Sequence, residues 1–272
     1  MDLEDYNRKA WNGLVDRGNQ WTVPTSPEAI AAARDGRWGI VLTPSLPVPA
    51  SWFPKTHPSL AGTRILCLAS GGGQQGPILA AAGGEVTVFD LSDRQLDRDR
   101  EVAAREDLAI ETVRGDMRDL GCFEAGTFDL VVHPCSNAFV PEVRPVWREA
   151  ARVLVPGGSL LAGFVHPFDY IFDEDASDRG ELVVRHSLPY SDLTSLSEEE
   201  REELVRRGEP FVFSHSLEDQ IGGQIEAGLL LADLYEDRWP GKPLAQYAPS
   251  FLATHARKPP LPAAAAGDDV SE

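Results

Sequence analysis

The feature that most constrains the fold is a run of three glycines, Gly71-Gly72-Gly73, set between a short apolar run and a helical pattern. Ile65-Leu66-Cys67-Leu68 reads as a buried strand, the glycines as a tight turn, and Gln75 to Ala82 as a helix. The rhythm then repeats. Glu85 to Phe89 is a second strand ended by Asp90, and Ser92 caps a helix that runs to Glu106. Ile110 to Val113 and Phe128 to Val132 are the next strands; a helix over Val143 to Leu154 and the Pro156-Gly157-Gly158 turn then lead to a fifth, Ser159 to Phe164. Short apolar runs alternating with helices define βαβ units and a parallel sheet, because each crossover returns the chain to the same sheet end.

The flanking segments differ. Glu4 to Arg17 forms a helix, and Ser26-Pro27-Glu28 supplies a cap, a first-position proline and a first-turn acid for another that ends near Asp35. The proline-rich stretch Leu42 to Pro58 is an extended, irregular connection. Residues 1–63 therefore read as an N-terminal helical flap and connection, and 64–257 as the main domain with an inserted cap at about 165–215. A charged helix from Ser197 to Arg207 lies in the insertion. A helix from Ser216 to about Ala227 follows it, closed by Gly228, and then strands over Leu229 to Tyr235 and Phe251 to His255. Within that helix each of Gly222 and Gly223 costs about 1 kcal/mol relative to alanine, which implies close approach of another segment or a ligand. Residues 258–272, rich in proline and alanine, read as a disordered tail.

Charge narrows the partners. The 272 residues hold 25 Lys+Arg against 43 Asp+Glu, a net charge of −18, which opposes the phosphate contacts that nucleic-acid binding needs. Residues 165–215 alone carry 5 basic and 13 acidic side chains, so a lid there disfavours polyanions and tolerates a neutral or cationic small molecule. Cys67, Cys122 and Cys135 are odd in number and lack CxxC spacing, so neither a disulfide framework nor a metal site is expected. The start of the chain is acidic without an apolar signal core, and the uncharged run Ile65 to Gly84 is broken at its centre by glycines and Pro77. A soluble cytoplasmic protein is the expectation.

Chemistry belongs at the glycine turn. In an open α/β sheet, ligands bind beyond the carboxyl ends of the strands, where glycines let the backbone approach and a helix start offers free N–H groups. Asp90 ends the next strand, 19 residues after Gly71, where its carboxylate can accept hydrogen bonds from both hydroxyls of a ribose. Gly71-x-Gly73-x-x-Gly76 with that acid formally matches the dinucleotide fingerprint, so an NAD(P)-dependent oxidoreductase is one reading.

The whole order of elements, however, resembles the class I S-adenosylmethionine-dependent methyltransferases, in the small-molecule branch with a type 11-like methyltransferase domain. Ile65 to Gly73 is similar to the family's first motif, and Val86-Thr87-Val88-Phe89-Asp90-Leu91-Ser92 to the second. Gly115-Asp116-Met117, the strand Phe128 to His133, and Arg152 to Gly158 resemble the passages that follow. Glu226-Ala227-Gly228 with the strand ending at Glu236 resembles the late helix and strand, and Phe251 to His255 the family's antiparallel strand. The resemblance implies a Rossmann-like seven-stranded α/β sheet, mostly parallel with one antiparallel strand, and helices on both faces. It implies S-adenosylmethionine as cofactor, with Ala69, Ser70, Gly71, Gly73, Gln74 and Gln75 around its methionine part. Asp90, Leu91, Ser92 and Gln95 would meet the ribose, and Gly115, Asp116, Met117, His133 and Pro134 the adenine and the reacting edge. The sequence departs from the family at two points: Cys67 stands where an acid is usual, and Ala69 where the first glycine is. Gln74 or Gln75 could supply the missing polar contacts, and the departures also admit a cofactor-binding module without transfer activity.

A sulfonium methyl is already strongly electrophilic, so the main tasks are to align a nucleophile and exclude water. A base is optional. Among histidines, His133 follows the fourth strand, His166 the fifth, and His215 the insertion, which makes these three the candidates; His186 is a weaker one. Phe168, Tyr170, Phe172, Tyr190, Phe211 and Phe213 could line an acceptor pocket or pack a core, and Tyr6, Trp11 and Trp21 could close over the cofactor.

Overall fold

A computed structural model describes residues 2–261. Seven strands form one sheet: β1 Arg64–Leu68, β2 Glu85–Asp90, β3 Ile110–Arg114, β4 Phe128–His133, β5 Leu154–Val165, β6 Leu230–Asp237 and β7 Phe251–Arg257. Their spatial order is β3-β2-β1-β4-β5-β7-β6. The first five pair in parallel, and β7 runs antiparallel to both β5 and β6. The expected mixed sheet is therefore present. Between β1 and β4 the winding changes direction, which opens a crevice at the carboxyl edge.

Among the described residues nine α-helices accompany the sheet: α1 Leu3–Asp16, α2 Pro27–Arg34, α3 Gln75–Ala81, α4 Asp93–Glu106, α5 Arg144–Val153, α6 Glu174–Asp178, α7 Asp192–Ser195, α8 Glu198–Arg207 and α9 Gly223–Glu226. Side-chain oxygens start several of them. Ser26 accepts the Ala29 N–H, Ser92 accepts the Gln95 N–H, and Ser197 forms a reciprocal capping box with Glu200.

Alternate residues of each strand enter different cores. On one face Leu66, Leu68, Val131 and Leu160 pack with Val146, Trp147, Ala150 and Val153 of α5. On the other, Ile65, Cys67, Val88, Val132 and Leu161 pack with Leu79 and Leu96 and with the N-terminal residues Ile40, Leu42, Val48, Trp52, Phe53 and Leu60. Both faces are covered, which is why the central strands read as unbroken apolar runs. The approach of the N-terminal connection is close: a Cβ on Gly163 of β5 would lie 2.2 Å from the Leu42 carbonyl oxygen.

Several details depart from the expectation. β5 starts earlier, at Leu154, with an irregular register against β4 between Phe128 and Leu130. The helix expected over Ser216 to Ala227 is a π-helical turn, Glu218–Gly222, leading into α9. Gly223 explains part of this. A Cβ there would sit 2.7 Å from Trp147 Cδ1, and the Trp147 indole N–H donates to the Asp219 carbonyl at 3.0 Å. The short helices α6 and α7 break the insertion, where only α8 was legible. Lys258 is fixed, its Nζ donating to the carbonyls of Ala151 and Leu154 at 2.7 Å each, and residues 262–272 of the expected tail lie outside the described residues. All three cysteines are free. Among the described residues no cluster of metal-ligating side chains occurs, and no helix is long and apolar enough to cross a membrane.

Candidate active site

At the carboxyl edge of the sheet the chain leaves β1 in a left-handed conformation at Ala69, φ +46, and continues through Gly72 at φ +111 and Gly73 at φ +71. Glycine is needed here for space as well as rotation. A Cβ on Gly71 would stand 2.7 Å from Gln95 Cβ, and one on Gly73 would stand 2.9 Å from the Arg98 carbonyl.

Asp90 ties the loop to β2. Its Oδ2 accepts the Gly71 N–H and its Oδ1 the Ser92 N–H, both at 2.9 Å. Burial pushes this carboxyl up, while the N–H groups of Ser92, Gly71 and Leu91 pull it back. A carboxylate has about four acceptor sites, which these three N–H groups do not exhaust, and Asp90 keeps accessible surface. The neighbouring Gln95 Oε1 is buried without a partner, next to Gly72. A carboxylate with accessible surface and an unpartnered amide oxygen are two acceptors, which fit the hydroxyls of a ribose and the ammonium of an amino-acid tail.

The next strand end is joined to this one by the Gly115 N–H, which donates to the Asp90 carbonyl at 3.1 Å. Gly115 lies on the Phe89 ring, where a Cβ would meet Cζ at 2.3 Å. Asp116 is held by Arg118, whose Nε lies 3.0 and 2.9 Å from the two carboxylate oxygens. Met117 is buried in the α5-side core.

The histidines separate by environment. His133 has no exposed surface; its Nδ1–H donates to the Leu68 carbonyl at 2.8 Å, and Nε2 lies 2.6 Å from the Asn137 amide. Burial lowers its pKa, against the hydrogen bonds to Asn137 and Leu68, which raise it. Both nitrogens are engaged. His215, also buried, donates from Nε2 to the Asn137 carbonyl at 2.9 Å. His166 differs, for it keeps accessible surface and begins the short turn Pro167–Ile171. Its Nδ1 accepts the Phe168 N–H at 3.3 Å, and burial lowers its pKa as well. His186 lies against Tyr190 in the insertion, ring centroids 4.9 Å apart.

The N-terminal residues bond to the glycine loop at this edge. Gln74 donates to the carbonyls of Gln20 and Val23 at 3.3 and 3.0 Å, and Gln75 to that of Val41 at 3.2 Å. Thr25 N–H donates to the Gly73 carbonyl at 2.8 Å. The two glutamines therefore bind the N-terminal segment to the glycine loop. Trp21 reaches across to Trp239, with centroids 6.3 Å apart, Trp11 packs edge-on against Phe139 at 4.9 Å, and the Tyr6 hydroxyl donates to the Glu209 carbonyl at 2.8 Å. From the insertion, Phe211 and Phe213 are buried, while Phe168, Tyr170 and Phe172 keep accessible surface.

One residue of the site escaped the sequence reading. Asp99 of α4 is fully buried beneath the loop and accepts the Gly72 N–H at 3.0 Å. In Asp97-Arg98-Asp99-Arg100 it resembles a solvated charge, yet it falls on the inward stripe with Gln95, Leu96 and Val102, and that spacing was the available signal.

This strand order, with a glycine loop after β1 and an acid ending β2, is that of the class I methyltransferases. Residues 66–162 match the family described as a methyltransferase domain. An uncharacterized methyltransferase, YbaJ of Bacillus subtilis, is 47% identical over 256 residues, which span 94% of this chain and 98% of that protein. A demethylmenaquinone methyltransferase of Clavibacter sepedonicus is 38% identical over 102 residues, 38% of this chain and 41% of its own length. An S-adenosylmethionine dependent methyltransferase from Mesorhizobium loti shares the fold with a TM-score of 0.57 at 19% identity, over 76% of this chain and 94% of that one. The chain belongs to the class I, S-adenosylmethionine-dependent methyltransferase family.

Proposed function

We propose that this enzyme transfers the methyl group of S-adenosylmethionine to a small molecule that is neutral or cationic, at an oxygen, nitrogen or carbon nucleophile. The observation that carries the reading is the placement of Asp90, which keeps accessible surface directly against the glycine loop at the sheet's switch point. When bound, the cofactor supplies an electrophilic sulfonium methyl. Asp90 would hold its ribose hydroxyls, with Leu91, Ser92 and Gln95 beside it. Ala69 to Gly73 would follow its methionine part, and Asp116, held in place by Arg118, would take the adenine amino group.

In this reading residues 1–63 are the flap, 64–257 the catalytic domain and 165–215 the cap over the acceptor. The cap's 13 acidic against 5 basic residues support an acceptor without negative charge, and the name of the partial relative, which points to a small quinone, supports a small molecule. In this reading His166, which follows β5 and keeps accessible surface, would touch that acceptor. With Nδ1 accepting from Phe168, its neutral ring carries the proton on Nε2 and orients the acceptor as a donor. His133 and His215 hold the Asn137 turn behind it.

Incubation with methyl-labelled S-adenosylmethionine and three acceptor panels tests this reading. Label should enter neutral or cationic small molecules. Preferential labelling of polyanions or nucleic acid would refute the acceptor class.

A further inference from the structure

Asp99 is the one fully buried carboxyl in α4, and no cation touches it. Its Oδ2 accepts the Gly72 N–H of the glycine loop at 3.0 Å. Its Oδ1 has no partner and lies against Gly76, 3.2 Å from where a Cβ would stand. The position belongs to an inward stripe that an apolar residue would fill at lower cost, since a buried polar atom left unpaired is unfavourable. What the carboxyl provides in return is a clamp on Gly72, the first of two consecutive glycines whose φ angles are positive.

We propose that Asp99 is a positioning residue for the cofactor, fixing Gly72 and Gly73 in the conformation that lets the loop receive the cofactor's methionine part. The proposal rests on the methyltransferase reading of the site. Cys67 of β1 packs beneath the same loop, near enough that Asp99 pushes its thiol up, after the larger effect of burial.

The protonation of Asp99 follows from its surroundings. Burial, with a smaller contribution from Asp90 at the end of β2, raises its pKa to about 8 against the loop N–H groups and Arg100 on its own helix. The Cys67 thiol faces it from β1; α3 and the segment Trp21 to Thr25 bring no charged side chain. At neutral pH the carboxyl is uncharged, so asparagine is a close mimic and leucine removes the clamp while suiting the core.

The experiment compares wild type, Asp99→Asn and Asp99→Leu by calorimetry with S-adenosylhomocysteine and by NMR of the Gly72 amide in the ligand-free protein. The leucine variant should bind about tenfold or more weakly, matching the loss of the loop contacts, and the asparagine variant within about threefold of wild type. The Gly72 amide shift should titrate with a midpoint near 8 in wild type and not in Asp99→Asn. Unchanged binding in a folded Asp99→Leu protein, or a titration that survives in Asp99→Asn, would overturn the proposal. Should the leucine variant not fold, the asparagine titration decides alone. A wild type that fails to bind S-adenosylhomocysteine refutes the cofactor reading instead, which keeps the two failures distinct.

Discussion

Ala69 holds φ +46 at the head of the glycine loop, where an L side chain crowds its own backbone by about 1–2 kcal/mol. The surrounding bonds keep it there: its N–H donates to the Phe89 carbonyl at 2.7 Å, and its carbonyl accepts the Ser136 hydroxyl at 2.6 Å. Ala69→Gly should relieve the strain, less the extra freedom that glycine gains in the unfolded chain, for a net stabilisation of about 0.5–1 kcal/mol in urea unfolding. A loss of stability would show that the methyl group packs favourably enough to outweigh the strain. The residue scale is also where the sequence was hardest to read. Gly71 and Asp90 stood out because their chemistry has few other uses at a strand end. Asp99 did not, because a buried carboxyl and a solvated one look identical until the helix face is known. His133 was legible in position, at the end of β4, but not in orientation: its ring turns inward onto Trp147, with centroids 5.8 Å apart.

At the scale of elements, the strands and crossover helices were legible because each is buried on a predictable face and capped by local chemistry, as Ser26, Ser92 and Ser197 show. The π-helical turn was not. Its extra residue accommodates contacts from elsewhere: Trp147 presses on Gly223, and the Gln220 amide bonds to that of Asn137 at 2.9 Å. None of these partners is near in sequence. The pair of glycines gives a direct check, since a Cβ at Gly222 meets nothing nearer than Glu218 Cγ at 3.7 Å, whereas one at Gly223 collides with the indole. Gly222→Ala should be neutral or stabilising by up to about 1 kcal/mol, and Gly223→Ala destabilising by about 1–3 kcal/mol, read from denaturation midpoints. Equal effects at the two positions would show that the indole is not what requires glycine.

For the whole molecule, the N-terminal 63 residues are part of the core as well as a cover. Trp52 donates its indole N–H to Asp233 of β6 at 2.9 Å, and Asp237 at the end of that strand accepts the Ser45 and Leu46 N–H groups at 2.9 and 3.2 Å. Burial pushes Asp237 up, but the Ser45 hydroxyl and N–H bonds hold its carboxyl below the usual range. This docking was not legible, because a proline-rich connection carries no periodicity from which to read its partners. The net charge of −18 was legible at once as an argument against nucleic acid, and its concentration on residues 165–215 made that argument local to one segment. The cofactor side is the central claim, and titration calorimetry with S-adenosylhomocysteine and NADH side by side tests it most directly. The account predicts saturable binding of S-adenosylhomocysteine, strongly weakened in Asp90→Ala, and no binding of NADH. Binding of NADH alone would contradict it.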